Sequence, residues 1–311
     1  MSSSTIARRA LCGLGLLTLA PGAALARDAT PPKSSDALRY VDAKRRLMVQ
    51  ALVNDQGPFA FMIDTGASSS VMSSELVDRL GLVRQGQTQL HGIAGVQTVD
   101  TVAVDSLSVG KRARRKMTLS VLPAANLGMA GILGLDWLGD NSLMLDYGAR
   151  RMHVGALPLP DDRTITVKAH TRRSGLTLIQ AHMPGQALMA FIDSGSTTTV
   201  GNLALLAAAR ARDQIIGDVI DLELRSVTGQ TLPGRIAVLK SLTLGKMILR
   251  RVPLVVGPVH TFDYWGMRDD PAILIGSDIL QLFDHVALDF RRGEVRFRVA
   301  ERQGRLPASR L

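Results

Sequence analysis

The chain has 311 residues, 46% apolar and 21% charged, with one cysteine and a formal charge of +10. This length allows one or two domains with a real hydrophobic core, and 29 Gly with 13 Pro suit a loop-rich β protein. A lone cysteine excludes a disulfide framework and a Cys-based zinc site.

The N-terminus reads as a targeting segment. Arg8 and Arg9 precede an apolar run from Ala10 to Ala20, and Ala24-Leu25-Ala26 gives a small-x-small cleavage site. We expect a secretory signal over 1–26 and export to the periplasm or beyond. The apolar run is shorter than the ~20 residues that span a bilayer, so no stable membrane insertion is expected once it is cut. The arginine pair hints at twin-arginine export, but the rest reads as the general secretory route. Cys12 lies inside the signal, too early for a lipoprotein acceptor. Without the two signal arginines the charge is near +8. It is scattered in short clusters such as Lys111-Arg112 and Arg291-Arg292, with few aromatics between. Solvated turns explain that pattern, and no nucleic-acid partner is expected.

Residues 27–37 are expected to be disordered. A first unit then spans 38–156, and a second spans 163–300. A Leu-Pro-rich linker lies between them, and a basic tail covers 301–311. Leu47–Val53 reads as a strand, Asn54–Gly57 as a turn, and Phe59–Ile63 as the hairpin partner that ends at Asp64. Ser73-Ser74-Glu75 can cap a short helix carrying Leu76, Val77 and Leu80, closed by Gly81. Leu90–Gly95 looks like a hairpin tip. Strands follow at Val99–Val104, Leu107–Val109 and Met117–Leu122; the segment Gly131–Leu138 comes next, then Leu143–Tyr147 and Met152–Val154.

The second half repeats this order. Thr177–Met183, Pro184-Gly185 and Ala187–Ile192 form a hairpin that ends at Asp193. A helix-like run starts at Leu203, and Leu224–Gly229 matches the first hairpin tip. Leu242–Gly245 matches Leu107–Gly110, and Ala272–Leu280 matches Gly131–Leu138. From Asp64 to Gly134 is 70 positions and from Asp193 to Gly276 is 83. The excess of 13 falls in loops, with five residues before the hairpin tip, one between the tip and the Leu-x-x-Gly turn and seven after it; most of the last group is Gly257–Gly266, which has no counterpart in the first half. The fold class is all-β.

Each half runs an apolar strand into an acid, Asp64-Thr65-Gly66 and Asp193-Ser194-Gly195. A strand interior is a costly place for a lone carboxylate. Two such acids brought together cannot both ionise easily and share a proton. Glycine lets the two loops approach closely, and the hydroxyls of Thr65 and Ser194 can bond across the pair. Such a dyad can deprotonate a water while protonating a carbonyl oxygen, which is general acid–base amide hydrolysis.

Asp-Thr-Gly-Ala-Ser at 64–68 and Asp-Ser-Gly-Ser-Thr at 193–197 resemble the active-site loops of aspartic proteases. Ile132-Leu133-Gly134 and Leu274-Ile275-Gly276 resemble the supporting element of that fold. The nearest resemblance is to the bacterial retropepsin-like group, with two copies fused in one chain. It implies two similar acid-protease-like β-barrel lobes with a cleft between them, one catalytic acid per lobe (Asp64 and Asp193), and a peptide or protein substrate. It implies no cofactor and no metal, and a monomer is expected. The supporting residues would be Thr65, Gly66, Ser68, Ser194, Gly195 and Ser196. A flap would carry His91, Gly92, Ile93, Ala94 and Gly95, with Ser226–Gly229 its equivalent. The chain departs from pepsin-like flaps in lacking a flap tyrosine; His91 is the nearest polar ring. Ala67 stands where the other loop has Ser196, and Ser196 could serve the outer oxygen of Asp193. Asp64, with fewer local donors, is then the expected holder of the shared proton.

Other residues have plainer readings. Asp136 and Asp278 read as helix caps, and Asp146 and Asp289 as strand-end structural acids. The six histidines lack metal-ligand spacing, and Ser68–Ser70 lack a nucleophile-elbow context. Phe262, Tyr264 and Trp265 either line the cleft or pack over their lobe. The alternative functions are an inactive relative that binds extended peptides, and an envelope structural protein.

Overall fold

The computed structural model describes residues 35–39, 41–43, 46–171 and 176–300. The expected signal, most of the leader and the basic tail lie outside the described residues. The first half contains strands β1 (Ser35–Arg39), β2 (Val41–Ala43), β3 (Arg46–Val53), β4 (Gln56–Ile63), β5 (Val71–Ser73), β6 (Arg84–Gly92), β7 (Gly95–Val109), β8 (Arg112–Leu122), β9 (Gly131–Leu133), β10 (Leu143–Asp146) and β11 (Arg151–Gly155). Short helices α1 (Ser74–Arg79), α2 (Ala124–Leu127) and α3 (Leu135–Leu138) interrupt them. The second half contains β12 (Thr164–Thr171), β13 (Thr177–Met183), β14 (Gln186–Ile192), β15 (Val200–Gly201), β16 (Ile220–Arg225), β17 (Thr231–Leu244), β18 (Met247–Val256), β19 (Ala272–Ile275), β20 (Phe283–Asp289) and β21 (Glu294–Val299). Its helices are α4 (Leu203–Ala211), α5 (His260–Tyr264) and α6 (Ser277–Leu280).

Each half closes a ring of six strands, β3-β4-β9-β5-β8-β7 in the first and β13-β14-β19-β15-β18-β17 in the second. The β3–β7 and β13–β17 pairings complete the two rings. Local chemistry explains the corners. Asn54 and Asp55, at φ +48° and +62°, form the two-residue turn between β3 and β4, and their short polar side chains tolerate that left-handed backbone. Ser73 caps α1 by accepting the Leu76 N–H at 3.1 Å, and Gly81 at φ +64° follows it.

The lobes join through a sheet that both halves build, in the order β1-β11-β10-β20-β21-β12. At its centre β10 and β20 run antiparallel, with Leu143 opposite Leu288 and Leu145 opposite Val286, all four buried. Antiparallel pairing of equivalent strands places the halves about an approximate twofold axis. The structural acids sit here as expected. Asp289 accepts from Ser142 Oγ and from Arg296, which is itself buried.

Asp146 meets His285 at 3.3 Å across the central pair. Burial pushes both groups toward their neutral forms. For Asp146 the hydrogen bond and charge of His285 outweigh burial and hold the carboxyl below its usual range. For His285 the Asp146 carboxylate wins and raises the imidazole. The depressed acid stabilises the fold above its unfolded pKa, and the raised base stabilises it below its own. The pair therefore contributes most between about pH 4 and 6.5, and loses its contribution on either side. His285→Gln should flatten that maximum in a profile of Tm against pH.

Three expectations need correction. Residues 35–37, assigned to a disordered leader, lie in β1, where the backbone pairs with β11. Val99–Val104 and Leu107–Val109 belong to one continuous strand, because Ser106 keeps its register opposite Arg115. The segment Gly257–Gly266 has a partial counterpart, since α2 occupies in the first half the place that α5 occupies in the second.

Candidate active site

Parallel pairing positions both acids. Ile63 lies opposite Leu133 on β9, and the Asp64 N–H donates to Leu133 O at 3.0 Å. Ile192 lies opposite Ile275 on β19, and the Asp193 N–H donates to Ile275 O at 3.0 Å. Each acid thus leaves the end of a buried strand at a fixed height. Both are buried, at 1% exposure.

The hydroxyl residues lock the two loops together. Thr65 Oγ1 donates to Ile192 O at 2.9 Å and accepts the Ser194 N–H at 2.9 Å. Ser194 Oγ donates to Ile63 O at 3.0 Å and accepts the Thr65 N–H at 3.2 Å. The glycines complete the approach. A Cβ built on Gly66 would lie 2.5 Å from Asp193 Cγ, and one on Gly195 would lie 2.5 Å from either oxygen of Asp64.

Local donors differ between the acids. Asp193 Oδ1 accepts the N–H groups of Gly195 (2.8 Å) and Ser196 (3.0 Å). Asp64 Oδ1 accepts that of Gly66 at 2.8 Å, and Asp64 Oδ2 is buried without a partner among the described residues. Burial raises Asp193 to about 6, held back by its bonds to Asp64, Ser196 and Gly195. Burial, and then the charge of Asp193, raise Asp64 further above its usual range. The two carboxyls are bonded to each other, and two acceptors can bond only through a proton that they share.

The Ser196 side chain does not serve Asp193. Its Oγ donates to Thr198 O at 2.7 Å, and only its backbone N–H reaches the acid. Ser68 is buried beside the dyad with its Oγ unpartnered among the described residues.

Asp136 and Asp278 are not helix caps; the N-cap residues of α3 and α6 are Gly134 and Gly276. Both acids instead brace the loops that follow Asp64 and Asp193. Asp136 accepts Ser70 Oγ at 2.7 Å and Ser70 N–H at 3.0 Å, and Ser70 Oγ accepts the Gly134 N–H at 3.1 Å. Asp278 does the same for Thr199 (2.7 and 3.0 Å), whose Oγ1 accepts the Gly276 N–H at 3.1 Å. A signal for this existed in the sequence. A hydroxyl residue stands six positions after each dyad acid, and an acid stands two after each supporting glycine. Charge-assisted bonds of this kind contribute roughly 1.5–3 kcal/mol each. Asp136→Ala or Asp278→Ala should therefore destabilise the fold by about 3 kcal/mol in urea titration, and the Asn variants by less.

The expected flap is the β6–β7 hairpin, with Gly92 and Gly95 paired and Ile93-Ala94 as its turn. Its second-lobe equivalent is the tip between β16 and β17, where the Ser226 N–H donates to Gln230 O. The tips meet. A Cβ on Gly92 would lie 2.8 Å from Ser226 Oγ, and Val227 is buried in a cluster made otherwise of first-lobe residues, including Met62, Ala67, Leu90 and Ile132. Of the insert aromatics, Phe262 and Trp265 pack on Phe191 of their own lobe, at 5.9 and 4.2 Å between ring centroids. Tyr264 instead covers His91 of the first-lobe hairpin at 3.9 Å.

Comparison with curated protein sequences returns no match. A family model described as aspartyl protease matches residues 49–137 and 179–279, one segment per lobe and each containing one acid of the dyad. The chain therefore belongs to the aspartyl protease family and carries its domain twice.

Proposed function

We propose that the chain is an exported aspartic endopeptidase that hydrolyses peptide bonds with a water activated between Asp64 and Asp193. The observation that carries this reading is the pair of raised, fully buried carboxyls locked by the Thr65–Ser194 grip. Asp193, with two backbone donors on one oxygen, is the ionised member. Asp64, with its unpartnered Oδ2, is the protonated one. Water attacks the scissile carbonyl carbon and gives its proton to Asp193, while Asp64 gives its proton to the carbonyl oxygen. The resulting gem-diol breaks its C–N bond as the departing amine takes the proton that Asp193 received and one gem-diol hydroxyl gives its proton to Asp64, which leaves a carboxyl product and restores the dyad to its starting protonation. Neither a metal nor a covalent enzyme intermediate enters these steps.

The substrate is an extended peptide or protein segment, bound under the β6–β7 and β16–β17 hairpins, and the chain acts as a monomer because it supplies both acids. The targeting segment at 1–26 supports a periplasmic or secreted location. The test is cleavage of a diverse peptide library by the mature chain between about pH 3 and 7, with and without chelator. Cleavage that survives the chelator and yields to a statine-type peptide is expected. A preparation that is folded but cuts nothing anywhere in that range overturns the reading.

A further inference from the structure

The insert between β18 and β19 grips the opposite lobe. Phe262 and Trp265 anchor α5 in the second lobe against Phe191. From that anchor the helix reaches the turn of the β6–β7 hairpin, where the His260 N–H donates to Ile93 O at 2.8 Å. Beside that bond, His91 Nδ1 and His260 Nε2 stand 3.1 Å apart in rings parallel to within 8°. Tyr264 closes over His91. The dyad beneath is shut, with both acids at 1% exposure and the two hairpin tips in contact. A peptide reaches Asp64 and Asp193 only if the first-lobe tip lifts away from α5.

We propose that α5 is a latch on the β6–β7 hairpin, released when both His91 and His260 are protonated; its consequence for catalysis rests on the protease reading above. A ring N–H···N bond needs one donor and one lone pair. The pair can therefore hold while it carries no extra proton or one. When both rings are imidazolium, donor faces donor and two positive charges stand side by side. No other titratable residue lies in the hairpin segment 89–98 or in the second tip, 226–230. On the insert, the remaining groups are Tyr264 and Asp263, and the latter is paired with Arg268 at 2.7 Å. The dyad carboxyls lie below and titrate as well, so the test removes one of them.

The experiment is hydrogen–deuterium exchange on the full chain in an Asp193→Asn background, at about pH 8 and pH 5, corrected for intrinsic rates. Segments 89–98 and 257–266 should exchange about tenfold faster at the lower pH, the scale set by losing one hydrogen bond and gaining one like-charge contact. Adding His260→Gln or His91→Gln, which hydrogen-bond without titrating, should abolish that response. Equal protection at both pH values overturns the latch. So does an unchanged response in both Gln variants. Exchange reads the latch without turnover, so a chain that cleaves no peptide yet shows the response loses only the protease reading. A chain that cleaves peptides but lacks the response loses only the latch.

Discussion

Asp193→Asn should lower kcat/KM by on the order of 10³-fold or more and, at neutral pH, make the protein more stable than the parent. The catalytic loss follows because the amide keeps the shape but cannot take a proton from water. It still offers an oxygen to the Gly195 and Ser196 N–H groups, so the loop stays in place. The gain in stability follows from burial. Burial pushes the Asp193 carboxyl up to about 6 in the fold, against 3.8 for the free group. Between those values the unfolded chain has released the proton that the native state retains, so stability falls as pH rises from about 4 to about 6 and stays low above. At 1.36 kcal/mol per unit, the charge of Asp193 costs roughly 3 kcal/mol at neutral pH. The Asn variant lacks that penalty, so urea titrations of the two proteins should diverge above about pH 4 and differ most near pH 7. Asp64→Asn should lose activity equally, because the proposed mechanism uses one proton and two different members. An active Asp193→Asn enzyme, or one less stable than the parent at pH 7, would sink the assignment.

The dyad was legible because its parts are local and occur twice. The acid, hydroxyl and glycine lie within three residues, and the repeat shows that Asp64 and Asp193 occupy matching strand ends. The family match over 49–137 and 179–279 covers the same duplicated unit. Braces were partly legible, since Ser70 with Asp136 and Thr199 with Asp278 recur at one spacing. A lone Asp near a helix start nevertheless reads as a cap when its partner lies 66 positions away. The Ser196 side chain misled for a related reason. A hydroxyl next to an acid suggests a bond, but the turn aims its Oγ at Thr198 O, and the backbone serves the acid instead. His91 with His260 could not be read at all. They are 169 positions apart, and His260 sits in the one segment where the halves differ most in length, so neither periodicity nor repeat points from one to the other.

Gly195→Ala should abolish measurable cleavage and destabilise the fold by roughly 3 kcal/mol, although it adds only a methyl group. Backbone strain is not the cause, since neither Gly66 nor Gly195 has positive φ. What forbids the methyl is the opposite acid, with both Asp64 oxygens 2.5 Å from where it would sit. The loops cannot back away to admit it. The four bonds of Thr65 and Ser194 fix their separation, and those bonds anchor to Ile63 and Ile192 at the ends of buried strands. Asp64 itself would have to turn aside, which breaks its bond from the Gly66 N–H and its proton sharing with Asp193. Gly66→Ala meets Asp193 in the same way and should fail equally. Gly217→Ala is the control. That glycine has φ +66° and open space around it, so only the left-handed backbone resists, at about 1 kcal/mol, with activity intact. Urea titration and peptide turnover on the three variants separate the cases. If Gly195→Ala cleaves peptides at the parental rate, the carboxyls do not work at the separation that the grip imposes, and the shared-proton mechanism falls with it.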